Sequence, residues 1–444
     1  MSSERQHLLS VLPSAAMHKY RLAPPLWFAF SLVGGMIYGY NVSIAPSLPY
    51  IADSLNLSTS HQEMASAAAT LSDAAAMLIG GRLADIFGRR NVALLACAMT
   101  MLGAVGSAAW HSSFGAFLFW RLCTGVGNGL SILILPMYIA EGTDTATRGM
   151  AVAFYQLGVL SGTVLPYVVI LLSESWLLTM LLGSLPAAAI ATSFLTGLFK
   201  ESQAWRGYKN DLAATSALEA RLDANDATPL TPESLGSPHS VRELWIGILL
   251  AYSNNSIDAS LFYGPQIVSK SSASFSRHDS NLVGMSFCLL SVLAVVVAMV
   301  FLVRKYSRRH IYLVTHTVVV VAFLACFVLF EFVPSIDTPH SAASNVLILA
   351  LALLVVFQTC GPGLLFVLIV SEMFGHGAVR ARYMSYCTFA MSAFSLLING
   401  TMLSLFESIG VGATFGGYGL TYAVCLAVFY KWLPETKARG IMEH

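Results

Sequence analysis

Charge is scarce in this sequence. Aspartate, glutamate, lysine and arginine make up 11% of its 444 residues, against ~25% in soluble domains. That shortage excludes an ordinary soluble globular fold. The net charge is +1 and there is no basic tail, so a nucleic-acid partner has nothing to grip. Paired cysteines are absent as well. Cys97, Cys123, Cys288, Cys326, Cys360, Cys387 and Cys425 stand singly inside apolar runs, which excludes a disulfide framework or a metal-ligand spacing and leaves small apolar fillers. No nucleophile–base set and no phosphate loop appears, so no enzyme and no cofactor is expected. The first 23 residues mix charge, histidine and serine and lack the short apolar core of a cleavable signal.

What is present is apolar sequence, 56% of the chain, with a mean hydropathy of +0.69. Runs long enough to cross a bilayer recur at about 25–51, 62–82, 91–110, 114–140, 150–172, 176–199, 243–268, 282–303, 310–333, 344–371, 383–406 and 411–432. The expected organisation is a tail (1–24), six spans (25–199), a polar linker (200–242), six more spans (243–432) and a tail (433–444). Threading twelve spans leaves only Lys270 and Arg277 of the 24 basic residues on one side. Arg121 lies inside a span, and the remaining 21 share the side of both termini. The positive-inside rule makes that side cytoplasmic.

The halves echo each other. "DIFGRR", ending at Arg90, is matched by "KYSRR", ending at Arg309, 219 residues later. Glu141 followed by Arg148 is matched by Glu372 followed by Arg380 and Arg382. "KESQAW" around Glu201 is matched by "PETKARG" around Glu435. Three features at similar offsets indicate two parallel six-helix repeats, which place a solute site between them near the midplane. Asp85, Arg89 and Arg90 can pair with one another or cap neighbouring helix ends. Glu141 with Arg148, and Glu372 with Arg380 or Arg382, can bridge helices when that face is closed. The bland alternative is static capping; the duplication favours a gate.

Together these stretches resemble the sugar porter family of the major facilitator superfamily. "GRLADIFGRR" is similar to the superfamily's loop 2–3 motif. "PMYIAE" with Arg148-Gly149, "KESQAW", "LPETKARG" and "CGPG" (Cys360 to Gly363) are similar to the family's motifs after span four, after spans six and twelve, and in span ten. The resemblance implies an all-α membrane protein with the major facilitator fold, twelve transmembrane helices in two six-helix bundles. It implies alternating access for a hexose or similar small polyol. Departures accompany it: Ile86 replaces a usual basic residue, and Arg304 stands where an acid is common.

Gln156 matches a family glutamine that hydrogen-bonds sugar hydroxyls; its bland alternative is an interhelical hydrogen bond. An amide both donates and accepts, which suits a polyol. In span seven, "YSNNSIDASLFYGPQ" departs from the family. Anchored on "LFYGP", the usual paired glutamines become Tyr252 and Ser253 and the later asparagine becomes Asp258. A shifted register gives Asn254 and Asn255 the amide roles. Phe262 and Tyr263 match an aromatic pair that closes over the pocket. Span ten has Leu365, Phe366 and Val367 in place of a tryptophan, and span eleven has Met391, Ser392 and Ser395. The transport frame is kept while the second-half sugar contacts are altered.

Proton-coupled relatives often carry an aspartate at the position of Asn41, near the arginine matched by Arg121. An amide cannot titrate usefully, which favours uniport. Two intramembrane acids, Asp73 and Asp258, keep proton coupling open, since such residues are costly and commonly functional. Asp73 lies 12 residues before Asp85, and Arg121 lies 20 before Glu141. At ~1.5 Å per residue they stand roughly 18 and 30 Å above those ends, an offset that argues against direct pairing. A non-transporting sugar sensor is the third reading.

"ERQHLL" fits a dileucine sorting pattern through Glu4, Leu8 and Leu9, a possible adaptor site; a plain tail is the alternative. The membrane is accordingly the plasma membrane or an endosomal or lysosomal one. Asn56 begins a glycosylation sequon on the side opposite the termini. The sequons at Asn41, Asn254 and Asn399 lie within spans and are expected to be silent.

Overall fold

Four helix starts among the described residues are marked by a serine that satisfies a free N–H group. The computed structural model describes residues 23–110, 113–203, 205–207, 209, 238–255, 276–302, 305–333, 342–373 and 378–436. Glu4, Leu8, Leu9, Asp258, Phe262 and Tyr263 lie outside them. The backbone at Glu372, Arg380 and Arg382 is helical, but their side chains are outside the described set.

The first bundle comprises α1 (Pro24–Val42), α2 (Leu48–Leu55), α3 (Thr59–Phe87), α4 (Arg89–Ala109), α5 (Phe114–Gly142), α6 (Thr145–Ser173), α7 (Trp176–Leu182) and α8 (Ser184–Leu195). The second comprises α9 (Pro238–Asn254), α10 (Arg277–Val297), α11 (Arg308–Phe332), α12 (Ala342–Gln358), α13 (Leu364–Met373), α14 (Ala378–Ser408) and α15 (Val411–Trp432). Helices α7 and α8 form one span broken at Gly183. Helices α12 and α13 form another, joined by a π turn at Thr359–Gly363. That turn falls at Pro362, which has no N–H to donate to the preceding turn. Among the described residues, ten spans are long and apolar enough to cross a membrane by length and composition alone; α1 and α9 complete twelve.

Ser58 and Ser307 cap α3 and α11 by accepting the N–H of His61 and of His310. Ser276 and Asp279 form a reciprocal capping box at the start of α10. The first span is shorter than its apolar run. It stops at Val42, and the chain turns before α2. Gly35 and Gly39 let α1 lie against the α6 backbone near Tyr155 and Val159, the close approach that small residues permit between membrane helices.

The polar residues bordering the expected linker also pack on the bundles. Helix α9 begins at Pro238, inside the 200–242 stretch, while Glu201, Ser202 and Trp205 dock on the first bundle. The face carrying Arg89, Arg90, Arg308 and Arg309 is called here the basic face, and its opposite the far face.

The bundles meet where α3 packs on α14 and α6 on α10. Polar bonds between them gather on the far face. Arg277 Nη1 lies 2.5 Å from Asp53 Oδ2, and Thr59 donates to Glu407 at 2.8 Å. The Glu63 carboxylate, 6% exposed, accepts the Ser404 N–H at 2.7 Å and its hydroxyl at 2.6 Å. Deeper, Ser392 Oγ lies 3.2 Å from Met77 Sδ, and Val164 and Tyr167 pack on Cys288.

Candidate functional site

Each bundle builds the same cap on its basic face. After α3 the chain must reverse, and Gly88 does so at φ +94°. The N–H groups opening α4 then need acceptors. Glu201 supplies them: its Oε1 and Oε2 accept the Arg90 N–H at 3.1 and 3.2 Å, and Arg90 Nη2 donates to the Phe194 carbonyl at 2.8 Å. In the second bundle Glu435 accepts the N–H groups of Arg308 and Arg309 at 3.2 and 3.3 Å. Arg309 Nη2 donates to the Tyr430 carbonyl at 2.7 Å. A carboxylate at a helix start also suits the helix dipole.

Glu141 pairs with a partner other than the one the chain order offers. Its Oε1 accepts from Arg89 Nε at 3.2 Å, and its Oε2 accepts from the Ser202 hydroxyl. Arg89 also reaches Asp85 Oδ1 and the Ala84 carbonyl, both at 3.0 Å. Arg148 is exposed at the start of α6 and makes no ion pair among the described residues. The cluster therefore joins α3, α4, α5 and the segment after α8.

Inside the first bundle Asn41 is 7% exposed. Its amide donates to the Ile37 carbonyl at 2.8 Å and to the Gly183 carbonyl at 3.2 Å. A Cβ at Gly183 would stand 2.7 Å from Asn41 Oδ1, so the glycine that breaks α7 from α8 also admits the amide. Arg121, 3% exposed, donates from Nη1 to the Asn41 carbonyl at 3.2 Å. Asp73, 2% exposed, is hydrogen-bonded by Tyr38, and its Oδ1 has no partner. Asp73 and Arg121 form no ion pair with each other among the described residues.

Gln156 is half-buried on α6 and makes no hydrogen bond among the described residues. In the second bundle Asn255 is 3% exposed and tied to backbone, donating to Ala251 at 3.0 Å and Met391 at 2.8 Å. Asn254 is half-buried and, among the described residues, donates only to Met391 Sδ at 3.1 Å, a weak acceptor. Its neighbour Gln358 was not singled out from sequence. That amide is fully buried and donates to the carbonyls of Ser253 and Asn254, both at 2.9 Å, where α9 ends. An amide next to "TCGPG" in an apolar run was the signal for it. Ser392 reaches across to Met77 between the bundles. Asn56 is exposed, in the left-handed conformation that ends α2 on the far face.

The sequence profile of the "Sugar (and other) transporter" family matches residues 26–444. Among curated relatives, the "Sugar transporter ERD6-like 6" of Arabidopsis thaliana is 26% identical, covering 92% of this chain and 86% of its own length. The "Glucose transporter GlcP" of Staphylococcus epidermidis is 24% identical, covering 94% and 96%. The "Arabinose-proton symporter" of Bacillus subtilis is 23% identical, covering 93% and 92%. Among solved structures, a D-xylose–proton symporter superposes with a TM-score of 0.75 at 19% identity, over 94% of this chain and 99% of that one. The inward-open xylose transporter XylE of E. coli gives 0.72 at 20%, over 94% and 98%. These two likenesses establish the fold.

Proposed function

The chain belongs to the sugar transporter family of the major facilitator superfamily, a family of transporters rather than enzymes, and on that premise we propose that it carries a hexose or similar small polyol by facilitative uniport. The observation that carries the substrate class is Gln156. It is an amide on an interface helix, half-buried, with no hydrogen bond among the described residues, and so available to donate to and accept from a solute hydroxyl. Asn254 serves as the second-bundle contact, because among the described residues its side-chain amide bonds only the weak acceptor Met391 Sδ. Asn255 is structural, since its N–H groups are committed to backbone. Asp258 and Tyr263 complete the pocket by their family positions.

Uniport rests on Asn41, whose amide stands where coupled relatives carry a carboxylate. The basic face is cytoplasmic, following the distribution of lysine and arginine. Its lock is the Asp85–Arg89–Glu141 cluster with the Glu201 and Glu435 caps. Glu372 with Arg380 or Arg382 plays the part of Glu141 in the second bundle, and Arg148 joins the lock when that face closes. One observation favours a second reading, proton coupling: Asp73 is a buried carboxylate with an oxygen left without a partner.

The test is uptake of a radiolabelled hexose panel into proteoliposomes, with and without an inward proton gradient. Equilibrating uptake indifferent to the gradient is expected. Uptake concentrated by the gradient would replace uniport with coupling, and Asp73→Asn and Asp258→Asn would then identify the carboxylate. Saturable binding without flux would mean a sensor.

A further inference from the structure

Arg121 is a cation buried without an anion. It is 3% exposed, and its Nε has no partner. None of the ion pairs among the described residues includes it. Of the buried acids among the described residues of the first bundle, Asp73 is hydrogen-bonded by Tyr38 with its Oδ1 left over, and Glu63 accepts from Ser404; neither forms an ion pair with Arg121. A guanidinium cannot shed its proton in a protein, so it cannot neutralise itself as a lysine can. Burying such a charge is costly unless an opposite charge compensates it.

A small cavity adjoins this side chain, lined by Tyr40, Asn41, Ser43, Arg121, Thr179 and Met180. Most of its polar groups are already committed. Tyr40 donates to the Thr179 carbonyl and Thr179 to Ser175, while Asn41 spends both N–H groups on carbonyls. Of the lining donors, Arg121 Nε has no partner, and the Ser43 hydroxyl makes no hydrogen bond among the described residues. Both are donors of the kind an anion needs. The space admits one water-sized particle. That suits a monatomic anion better than sulfate, phosphate or a carboxylate solute. A monatomic anion fits if the flexible Met180 side chain yields slightly.

We propose that this cavity binds a small monovalent anion of the halide class, chloride being the physiological one, as the counter-charge of Arg121. The site lies between the α1 end, the first turns of α5 and α7, near the far face. The anion does there what a carboxylate at position 41 would do in cis. It is a structural ion, distinct from the solute, and its binding is read without any flux.

The experiment is thermal unfolding of the purified protein in sodium chloride, sodium bromide and sodium gluconate at equal ionic strength. A saturable rise in Tm with chloride and bromide, absent with gluconate, is expected. Asn41→Asp places a fixed negative charge beside the site and should weaken the chloride response by roughly tenfold or more. Equal Tm in all three salts would overturn the proposal, since water would then suffice. An undiminished response in Asn41→Asp would also overturn it, because the anion would be bound elsewhere. If that variant does not fold, wild-type crystals grown in bromide decide. An anomalous peak within hydrogen-bond reach of Arg121 Nε supports the site, and bromide peaks only elsewhere refute it.

Discussion

Glu201 holds the backbone N–H of Arg90 at 3.1 Å across a gap of more than a hundred residues, and Glu435 repeats the bond on Arg309. The repeat in the sequence thus becomes a repeat of one hydrogen-bond device. The carboxylate arrives after the last span of its bundle and closes the start of the third.

Removing either cap leaves N–H groups unsatisfied at a helix start. Glu201→Ala and Glu435→Ala should each cost about 1–2 kcal/mol. The caps share no partner, so the double variant should lose about the sum. Denaturant or thermal unfolding in detergent checks this; a marked excess over additivity would mean that the caps communicate.

Arg89 and Glu141 form the central ion pair of the basic face, with Arg89 12% and Glu141 20% exposed at the side chain. A double-mutant cycle of Arg89→Ala and Glu141→Ala should return a coupling of about 0.5–3 kcal/mol. Arg148→Ala, at an exposed side chain, should change stability by less than about 0.5 kcal/mol. If Arg148→Ala cost as much as Glu141→Ala, the pairing described here would be wrong.

Gln156→Ala should weaken solute binding with little change in Tm, because the amide makes no hydrogen bond among the described residues. Loss of one hydrogen bond of about 0.5–1.5 kcal/mol corresponds to roughly two- to tenfold in half-saturation. Asn255→Ala should do the reverse, lowering Tm by freeing buried carbonyls. Binding isotherms and melting curves on the same preparations separate the two.

The far-face bonds hold the bundles together unequally. Asp53 and Arg277 are 60% and 55% exposed at the side chain, and an exposed pair contributes only about 0–1 kcal/mol. Glu63 is buried and accepts two bonds from Ser404. Glu63→Ala should therefore open the far face more than Asp53→Ala. Spin-label distances between far-face ends of α3 and α14 measure this; equal shifts would count against the ranking.

The twelve helices were legible because bilayer-length apolar runs leave little choice, and the motif spacing named the family. Helix ends were harder to read. The first run contained a stop at Val42, a turn and α2, since apolar residues continue through the turn. The partner of Glu141 was hidden for another reason. Arg148 is near it in sequence, while Arg89 reaches it only because α3, α4 and α5 converge. Glu63 escaped notice because its partner, Ser404, lies in the other bundle. Gln358 could have been flagged by the same reasoning that drew attention to Asn41, a lone amide in an apolar run.

The far-face latch has a consequence for how solute is counted from each side. In the conformation described, the Glu63, Asp53 and Thr59 bonds join the bundles on the far face, and a molecule on that side must wait for them to part. The fraction of carriers ready for the far side multiplies into the apparent affinity there. A carrier that only equilibrates its solute would still show unequal half-saturation concentrations for influx and efflux, and weakening the latch would draw the two values together.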